Sequence, residues 1–266
     1  MDLREINQAS LTHHYNRHPW ELARIEVAIQ TIKNNIPAHL SNLCIIDIGC
    51  GDLFALRSIS KALRATESIG VDIALSDQDI VHLKQAGINK DIKIFNNLNA
   101  ITVAKDKTTV ILLMDVLEHI EDDKGFLANL SSYDFITKDS IVLITVPSYQ
   151  SLFCAHDKFL LHYRRYSNQA MIDVVKSQKF NVKSSGYFFS CLLVPRILNV
   201  WREKLMPESK EETIDGTGLT HWKGGKNFTA FLKFVLLLDY RIAMFFLPFK
   251  IKVPGLSNFV VCKKSV

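Results

Sequence analysis

Short runs of apolar residues alternate with helix-like patterns along most of the chain. The apolar runs predict seven strands, at 44–48, 67–72, 91–96, 109–114, 140–146, 181–187 and 258–262. Apolar residues that recur every three or four positions predict helices at 53–63, 76–87, 120–130 and 167–178, with a weaker one at 98–105. Strands that alternate with helices need crossover connections, which predicts a parallel, doubly wound α/β sheet.

Two further segments flank this alternation. A helical pattern that begins at Trp20 and is closed by Pro37 predicts a helical cover at 1–40, ahead of a core at 41–190. Residues 191–257 form an insertion before the last strand at 258–266. The charged, glycine-containing stretch 203–226 predicts a loop, and the apolar stretch 228–247 predicts a long helix.

The apolar helix of the insertion has two open interpretations. Lys233, Asp239 and Arg241 interrupt it, which argues against a membrane-spanning segment. It is either a buried helix or homodimer contact, or an element that rests on a membrane or covers a lipid substrate, helped by Lys250 and Lys252.

Composition restricts the partners and the cellular location. Of the 266 residues, 48% are hydrophobic, which is ample for one core, and the formal net charge is +5. The basic residues are scattered, which argues against a nucleic-acid partner. Five dispersed cysteines without a Cys-x-x-Cys pair, together with a polar N-terminus, predict a cytoplasmic protein with reduced thiols and no signal peptide. The membrane-resting alternative would place it at the inner face of the membrane.

The first strand runs into a glycine turn of the kind that holds nucleotides. Residues 47–51 read Asp-Ile-Gly-Cys-Gly, and glycines let the backbone turn tightly and approach a ligand closely. The second strand ends in Asp72, 21 positions after Gly51, where a carboxylate can hold two ribose hydroxyls. The third glycine of a dinucleotide fingerprint is missing, which argues against a dehydrogenase.

Asp-x-Gly-x-Gly followed by Gly-Val-Asp resembles the S-adenosylmethionine site of class I methyltransferases. The resemblance implies a seven-stranded, doubly wound, Rossmann-like sheet with an N-terminal helical cover and a C-terminal helical insertion. It also implies a set of cofactor-binding residues. These are Arg24, Asp47, Gly49, Cys50, Gly51, Asp72, Ile73, Asn97, Met114, Asp115 and Val116.

A second resemblance lies at the end of the fourth strand. Asp115-Val-Leu-Glu118-His119 is similar to the corresponding motif of the ubiquinone-biosynthesis O-methyltransferases. There the matching acid, glutamate and histidine are associated with Mg²⁺, which implies a metal site at Asp115, Glu118 and His119. The alternative is that Glu118 and His119 cap the next helix.

The segment after the fifth strand supplies candidates for acceptor chemistry. His156, supported by Asp157, is the first candidate for a general base, and His162 is the second, because imidazole changes charge near neutral pH. This segment resembles a bacterial methyltransferase branch with His-Asp followed by His-x-Arg-Arg-Tyr. Candidate substrate-binding residues are Tyr149, Arg164, Arg165 and Tyr166. A purely structural role for these side chains remains open.

These observations predict an S-adenosylmethionine-dependent methyltransferase. Its acceptor would be a small, lipid-linked or carrier-linked metabolite that is methylated on oxygen or on carbon. Two alternatives remain: a catalytically inactive cofactor-binding scaffold in a biosynthetic complex, and an RNA or protein methyltransferase.

Overall fold

A computed structural model describes residues 17–37, 42–85, 91–104, 106–205 and 222–265. Among them, the strands of one sheet are β1 (Leu43–Ile48), β2 (Glu67–Val71), β3 (Ile92–Phe95), β4 (Thr108–Met114), β5 (Ile141–Pro147), β6 (Phe180–Phe188) and β7 (Ser257–Lys264). The α-helices are α1 (Pro19–Lys33), α2 (Phe54–Leu63), α3 (Asp77–Gln85), α4 (Asp123–Ser132), α5 (Ala155–Phe159), α6 (Asn168–Ser177), α7 (Leu193–Leu205) and α8 (Lys226–Phe246).

The strand order in the sheet is β3-β2-β1-β4-β5-β7-β6. The strands β1 to β5 pair in parallel, as the alternating pattern predicts. The structure corrects the parallel arrangement for β7, which pairs antiparallel with both β5 and β6. The reason is that β6 ends at the carboxyl edge of the parallel strands, and β7 begins at that same edge, with Ser257 opposite Pro147.

Both faces of the sheet are covered by helices. Ile45 of β1 packs into the layer that includes α1, α2 and α8, and its neighbour Ile46 packs into the opposite layer with α4 and α6. All six residues of β1 are buried, which explains why this strand reads as a continuous apolar run. The carboxyl edge of the sheet therefore remains the place where a ligand can enter.

The predicted weak helix at 98–105 is wrong. The chain forms one 3₁₀ turn, Leu98–Ala100, whose start is capped by the side chain of Asn97. Ile101 is buried and Val103 packs partly against the same core layer, so the apolar side chains recur at two-residue spacing. Two-residue spacing belongs to extended backbone.

The insertion contains two helices. The sequence predicted α8 but not α7, and the predicted loop at 203–226 falls mostly, at 206–221, outside the described residues. Leu236, Tyr240 and Ala243 bury one face of α8, and the Tyr240 hydroxyl lies 3.0 Å from Thr31 Oγ1 of α1. In the parts of the chain that the structure describes, none of the helices is long and apolar enough to cross a membrane.

Candidate active site

The glycine turn after β1 is held against two neighbouring strands. The backbone N–H groups of Gly49 and Cys50 donate to the Val71 carbonyl at 2.8 and 3.2 Å. Gly49 has a φ of +78°, and a Cβ on it would lie 2.7 Å from Val116 Cγ2. Both the backbone angle and the close contact require glycine here. The turn therefore opens directly onto the end of β4.

Asp72 is buried beside this turn, as the sequence predicts. Its carboxylate accepts hydrogen bonds from Gly51 N at 3.1 Å and from Ala74 N at 3.0 Å. These two bonds fix the orientation of the carboxylate before any ligand arrives. Ile73 follows it with its side chain 86% exposed, so an apolar surface lies next to a fixed anionic group.

A cavity of about 320 Å³ lies at the carboxyl edge, between the ends of β1, β2 and β4. Of the predicted cofactor residues, six line it: Gly49, Asp72, Ile73, Met114, Asp115 and Val116. The sequence did not identify the further lining residues Ala74, Leu98, Ile120 and Phe126, and it had given His119 a metal role only. Ordinary apolar residues such as Phe126 carry no signal of a ligand until the fold brings them together.

A smaller cavity of about 20 Å³ continues from Gly49 toward α1. Six predicted cofactor residues line it: Gly49 and Met114, which also line the first cavity, and Arg24, Asp47, Cys50 and Gly51. Arg24 is buried, forms an ion pair with Asp115 and lies over the Trp20 ring. The N-terminal segment also closes over the turn, since Arg17 forms ion pairs with Glu21 and Asp52.

The site has the features that an S-adenosylmethionine ligand would need. Asp47 is buried, and its Oδ1 atom has no hydrogen-bond partner among the described residues. Burial raises the pKa of Asp47 to about 7, so a nearby cationic group would stabilise its charged form. An orphaned carboxylate oxygen, a cationic Arg24 and a fixed Asp72 suit the amino, carboxylate and ribose groups of such a ligand.

The predicted magnesium set Asp115, Glu118 and His119 does not fit that metal. The Asp115 carboxylate faces Arg24 and accepts a hydrogen bond from Thr145 Oγ1 at 3.2 Å. Among the described residues, the ligand-type atoms that lie within 4.8 Å of one another belong to Glu118, His119 and His162. Two imidazoles and one carboxylate are not the oxygen-rich donor set that Mg²⁺ takes.

His119 and His162 form an aromatic pair beside the cavity. Their ring centroids are 4.5 Å apart, and the rings meet edge to face at 83°. The Tyr163 N–H donates to the Glu118 carbonyl at 2.8 Å, which holds the two segments together. His119 lines the cavity, whereas His162 lies behind it with its side chain 8% exposed.

Asp157 orients His162, not His156. Its Oδ1 atom lies 3.0 Å from His162 Nδ1 and accepts from Arg165 Nε at 2.7 Å, while Oδ2 accepts from Arg196 at 2.8 Å. Burial by itself would raise the pKa of Asp157, but the hydrogen bond from His162 and the charge of Arg165 hold it below its usual range. Asp157 is therefore a fixed anion that orients three cationic or polar groups.

The sequence predicted that Asp157 supports His156, and this prediction is wrong. Adjacent residues of one helical turn point in different directions, and the buried Asp157 side chain turns toward His162. Burial and the charge of Arg196 lower the pKa of His156. Arg196 was missed, because it lies 39 positions from Asp157 on a helix that the sequence did not predict.

Several candidate substrate residues are held by the protein itself. Arg165 is buried against Asp157 and the Ser148 carbonyl, and the Tyr166 hydroxyl donates to Asp123 at 2.6 Å. Arg164 donates to the Glu121 carbonyl and forms an ion pair with Asp123. These contacts indicate that the three side chains position the loop. Asn97 likewise caps its own turn and is absent from the lining of the cavity between the ends of β1, β2 and β4.

Tyr149 lies at a second cavity of about 350 Å³ at the same edge of the sheet. Its ring stacks on Tyr187 at 5.3 Å, and burial together with the hydrogen bond to Tyr187 raises its pKa. The rest of the lining comes from the turn after β5 and from α7: Ser151, Leu152, Leu193, Ile197, Val200, Trp201 and Lys204. This cavity is mainly apolar with one cation at its edge.

A family model described as a methyltransferase domain matches residues 19–186 of this chain. The chain belongs to that methyltransferase family. The match contains the glycine turn, Asp72, His119 and the segment from Asp157 to Tyr166. It ends before α7 and α8, so the second cavity combines a wall inside the family match with one outside it.

A curated relative of this chain is the ubiquinone biosynthesis O-methyltransferase of Brucella anthropi. The two are 31% identical over 124 residues, which is 45% of this chain and 48% of the relative. A second protein of the same name, from a Ruegeria species, is 32% identical over 92 residues, 34% of this chain and 36% of the relative. The chain thus spans half or less of the length of the curated relatives it matches.

Solved structures agree on the fold of this chain. A sarcosine dimethylglycine methyltransferase candidate from Galdieria sulphuraria aligns with a TM-score of 0.53 and 15% identity, over 92% of this chain and 86% of the other. The 4+2 cyclase SpnF aligns with a TM-score of 0.53 and 10% identity, over 95% of this chain and 87% of the other. The predicted Rossmann-like methyltransferase fold is confirmed, and a cyclase on the same fold shows that fold alone does not fix the reaction.

We expect the buried Glu118 to make folding stability depend on pH. Neither of its carboxylate oxygens has a hydrogen-bond partner among the described residues, and burial raises its pKa to about 8. In the unfolded chain a glutamate titrates near ~4.3. The folded protein then keeps a proton that the unfolded chain releases, so the free energy of unfolding falls as the pH rises from about 4 to about 8.

Urea denaturation at several pH values within this window measures the effect. Glu118→Gln is expected to reduce the slope, because glutamine does not titrate. Some slope should remain, since burial raises the pKa of Asp47 in the same direction. An unchanged slope in the Glu118→Gln variant would contradict the assignment.

Proposed function

We propose that this chain transfers a methyl group from S-adenosylmethionine to a hydroxyl group of a small or amphiphilic acceptor. The observation that carries the proposal is one cavity at the carboxyl edge with a fixed carboxylate, Asp72, and an imidazole, His119, in its lining. The O-methyltransferase names of the curated relatives favour oxygen over carbon as the methylated atom.

The chain's own groups would hold the cofactor at three points. Asp72 is oriented to accept both ribose hydroxyls, and the exposed Ile73 offers an apolar surface to the adenine. At the other end, Arg24 now pairs with Asp115 beside a cavity of only about 20 Å³. The cofactor's carboxylate would replace Asp115 as the partner of Arg24, and its amino group would face Asp47.

Bound S-adenosylmethionine supplies a methyl group on a sulfonium, so that the acceptor's oxygen–carbon bond forms as the sulfur–carbon bond breaks. The chain aligns the acceptor and takes its proton. His119 lies in the cavity lining and is the group that receives it. His162, oriented by Asp157, packs edge-on against His119 and keeps that ring in place.

The second cavity is the proposed site for the acceptor's apolar part. Tyr149 follows β5 and α7 follows β6, and both strands end at the carboxyl edge, where the first cavity also lies. Apolar walls and the single Lys204 suit an acceptor with a hydrophobic body and an anionic group.

Ile197→Trp is expected to raise the KM for the acceptor several-fold and to leave S-adenosylmethionine affinity unchanged, because the larger ring fills the second cavity. Leu198→Trp is the matched control, since Leu198 is the next residue of α7, is exposed and is absent from the cavity lining. Equal effects of the two substitutions would refute this placement of the acceptor.

Two measurements test the function itself. Calorimetric titration with S-adenosylmethionine tests cofactor binding, and a panel of phenols, sugars and alkyl phenols tests for release of S-adenosylhomocysteine. Binding with turnover supports the proposal. Binding without turnover on any acceptor would favour the alternative, a catalytically inactive cofactor-binding scaffold.

A further inference from the structure

One face of α8 carries a continuous row of exposed apolar side chains. The row, called the apolar stripe below, consists of Phe231, Phe234, Leu238, Ile242, Phe245 and, in the next turn, Phe249. Each of these side chains is between 45% and 66% exposed. The spacing of three or four residues places them on one side of the helix, opposite the buried Leu236, Tyr240 and Ala243.

The stripe is long for the surface of a water-exposed domain. The stripe runs along a segment of nineteen residues, 231–249, which extends over about 27 Å at a rise of 1.5 Å per residue. A contiguous apolar surface of this kind marks a contact with a partner or a membrane. Within the described residues no helix qualifies as a membrane span, so a membrane contact here means a helix that lies along the surface.

The exposed charges near the stripe are cationic. Lys226, Arg241 and Lys250 are exposed on α8 and the turn that follows it. The acid of α8, Asp239, is turned inward, where it accepts hydrogen bonds from Ser190 N at 2.6 Å and Cys191 N at 3.3 Å. An anionic surface is therefore the complementary partner.

A second copy of this chain is a poor partner for the apolar stripe, because the exposed charges near the stripe are cationic. Two stripes placed face to face would bring the cations of both copies together, and like charges at a contact oppose association. A bilayer with anionic lipid satisfies both features, since it offers an apolar interior for phenylalanine rings and negative headgroups for lysine and arginine. We propose that the apolar stripe seats this protein on the surface of an anionic bilayer.

The stripe is connected to the second cavity through Asp239. The backbone N–H groups that Asp239 accepts from belong to the 3₁₀ turn Ser190–Leu192, directly before α7. On α7, Trp201 both lines that cavity and is 61% exposed. Resting on the proposed function, this connection indicates an amphiphilic acceptor that is drawn from the bilayer through the side of α7.

Co-sedimentation with phosphatidylcholine vesicles, with and without phosphatidylglycerol, tests the membrane contact. The wild type is expected to pellet with the anionic vesicles. Phe231→Glu/Phe245→Glu should reduce the bound fraction at least tenfold. Val81→Glu is the control for an added carboxylate, because it places one on an exposed apolar residue of another helix, α3, and it should bind like the wild type.

A second pair of variants tests the role of charge. Arg241→Gln and Lys250→Gln should each weaken binding to anionic vesicles about fivefold and leave the small binding to neutral vesicles unchanged. Equal losses on both kinds of vesicle would contradict the electrostatic part of the proposal.

Failure of the wild type to bind anionic vesicles would overturn the proposal. Light scattering that shows a dimer, which Phe231→Glu/Phe245→Glu converts to monomers, would assign the stripe to a second copy. Titration with S-adenosylmethionine on the same samples separates this outcome from a failure of the proposed methyl transfer, since cofactor binding does not require the stripe.

Discussion

Replacing His119 with alanine is expected to lower turnover about 10²–10⁴-fold, which is the usual loss when a general base is removed. His119 is the imidazole in the lining of the first cavity, between the ends of β1, β2 and β4, and the His162 ring packs edge-on against it. The affinity for S-adenosylmethionine should stay unchanged, because Asp72 and Arg24 remain. Initial rates of S-adenosylhomocysteine release and calorimetric titration measure the two quantities separately.

Three further histidine variants make this result specific. His162→Ala should lower turnover less than His119→Ala and should also alter the pH–rate profile, because His162 positions the base. His82→Ala changes an exposed histidine on α3 and should have no effect. If His156→Ala instead abolishes turnover while His119→Ala does not, then His156, the first candidate from the sequence, is the general base. The assignment of the base to His119 is wrong in that case.

Asp72→Ala is expected to weaken S-adenosylmethionine binding about ten- to hundredfold. A hydrogen bond to a charged group contributes ~1.5–3 kcal/mol, and loss of one such bond corresponds to this change in affinity. The carboxylate is already oriented by Gly51 N and Ala74 N, so little reorganisation accompanies binding. Titration calorimetry gives the dissociation constants directly.

Asp72→Asn separates the binding role from the structural one. Asparagine keeps an oxygen that can accept from the backbone but loses the charge, so the variant should melt close to the wild type and still bind weakly. Asp91→Ala, which removes an exposed acid ahead of β3, is the control for the change in net charge. If the wild type and both Asp72 variants bind S-adenosylmethionine with equal affinity, Asp72 does not hold the ribose hydroxyls.

The proposed function requires an exchange of ion-pair partners at the charged end of the site. Arg24 and Asp115 now neutralise each other, and the Arg24 side chain on α1 is buried and lies over the Trp20 ring. A ligand carboxylate that takes over Arg24 leaves Asp115 facing the cavity beside His119, both of which line it. The negative charge near His119 then favours the protonated imidazole that proton transfer creates.

The sequence by itself determined the parallel part of the sheet and predicted the glycine turn and the acid of the proposed cofactor site. Strands buried on both faces appear as continuous apolar runs, which is why β1 and β4 were recognisable. Gly49 and Asp72 were recognisable because a tight turn and an acid at a strand end are local requirements of the backbone. Such features depend on residues close in sequence.

The arrangement of the side chains on the proposed acceptor side was decided by tertiary structure. The sequence made His156 the first candidate for the general base, because Asp157 follows it directly, and made His162 the second. What separates them is the direction of the buried Asp157 side chain, which is fixed by Arg165 and by Arg196, 39 positions away. The same holds for Asp115, whose partner Arg24 lies on a helix that packs against the sheet only in the folded chain.

The insertion shows the same division most clearly. The composition of 228–247 predicted a long apolar helix but left its surroundings open. The packing of Leu236 and Tyr240 decided which face is buried, and thereby which face carries the exposed phenylalanines. Helical periodicity is encoded locally in the sequence, whereas the choice of the covered face depends on contacts such as that between Tyr240 and Thr31, 209 positions apart.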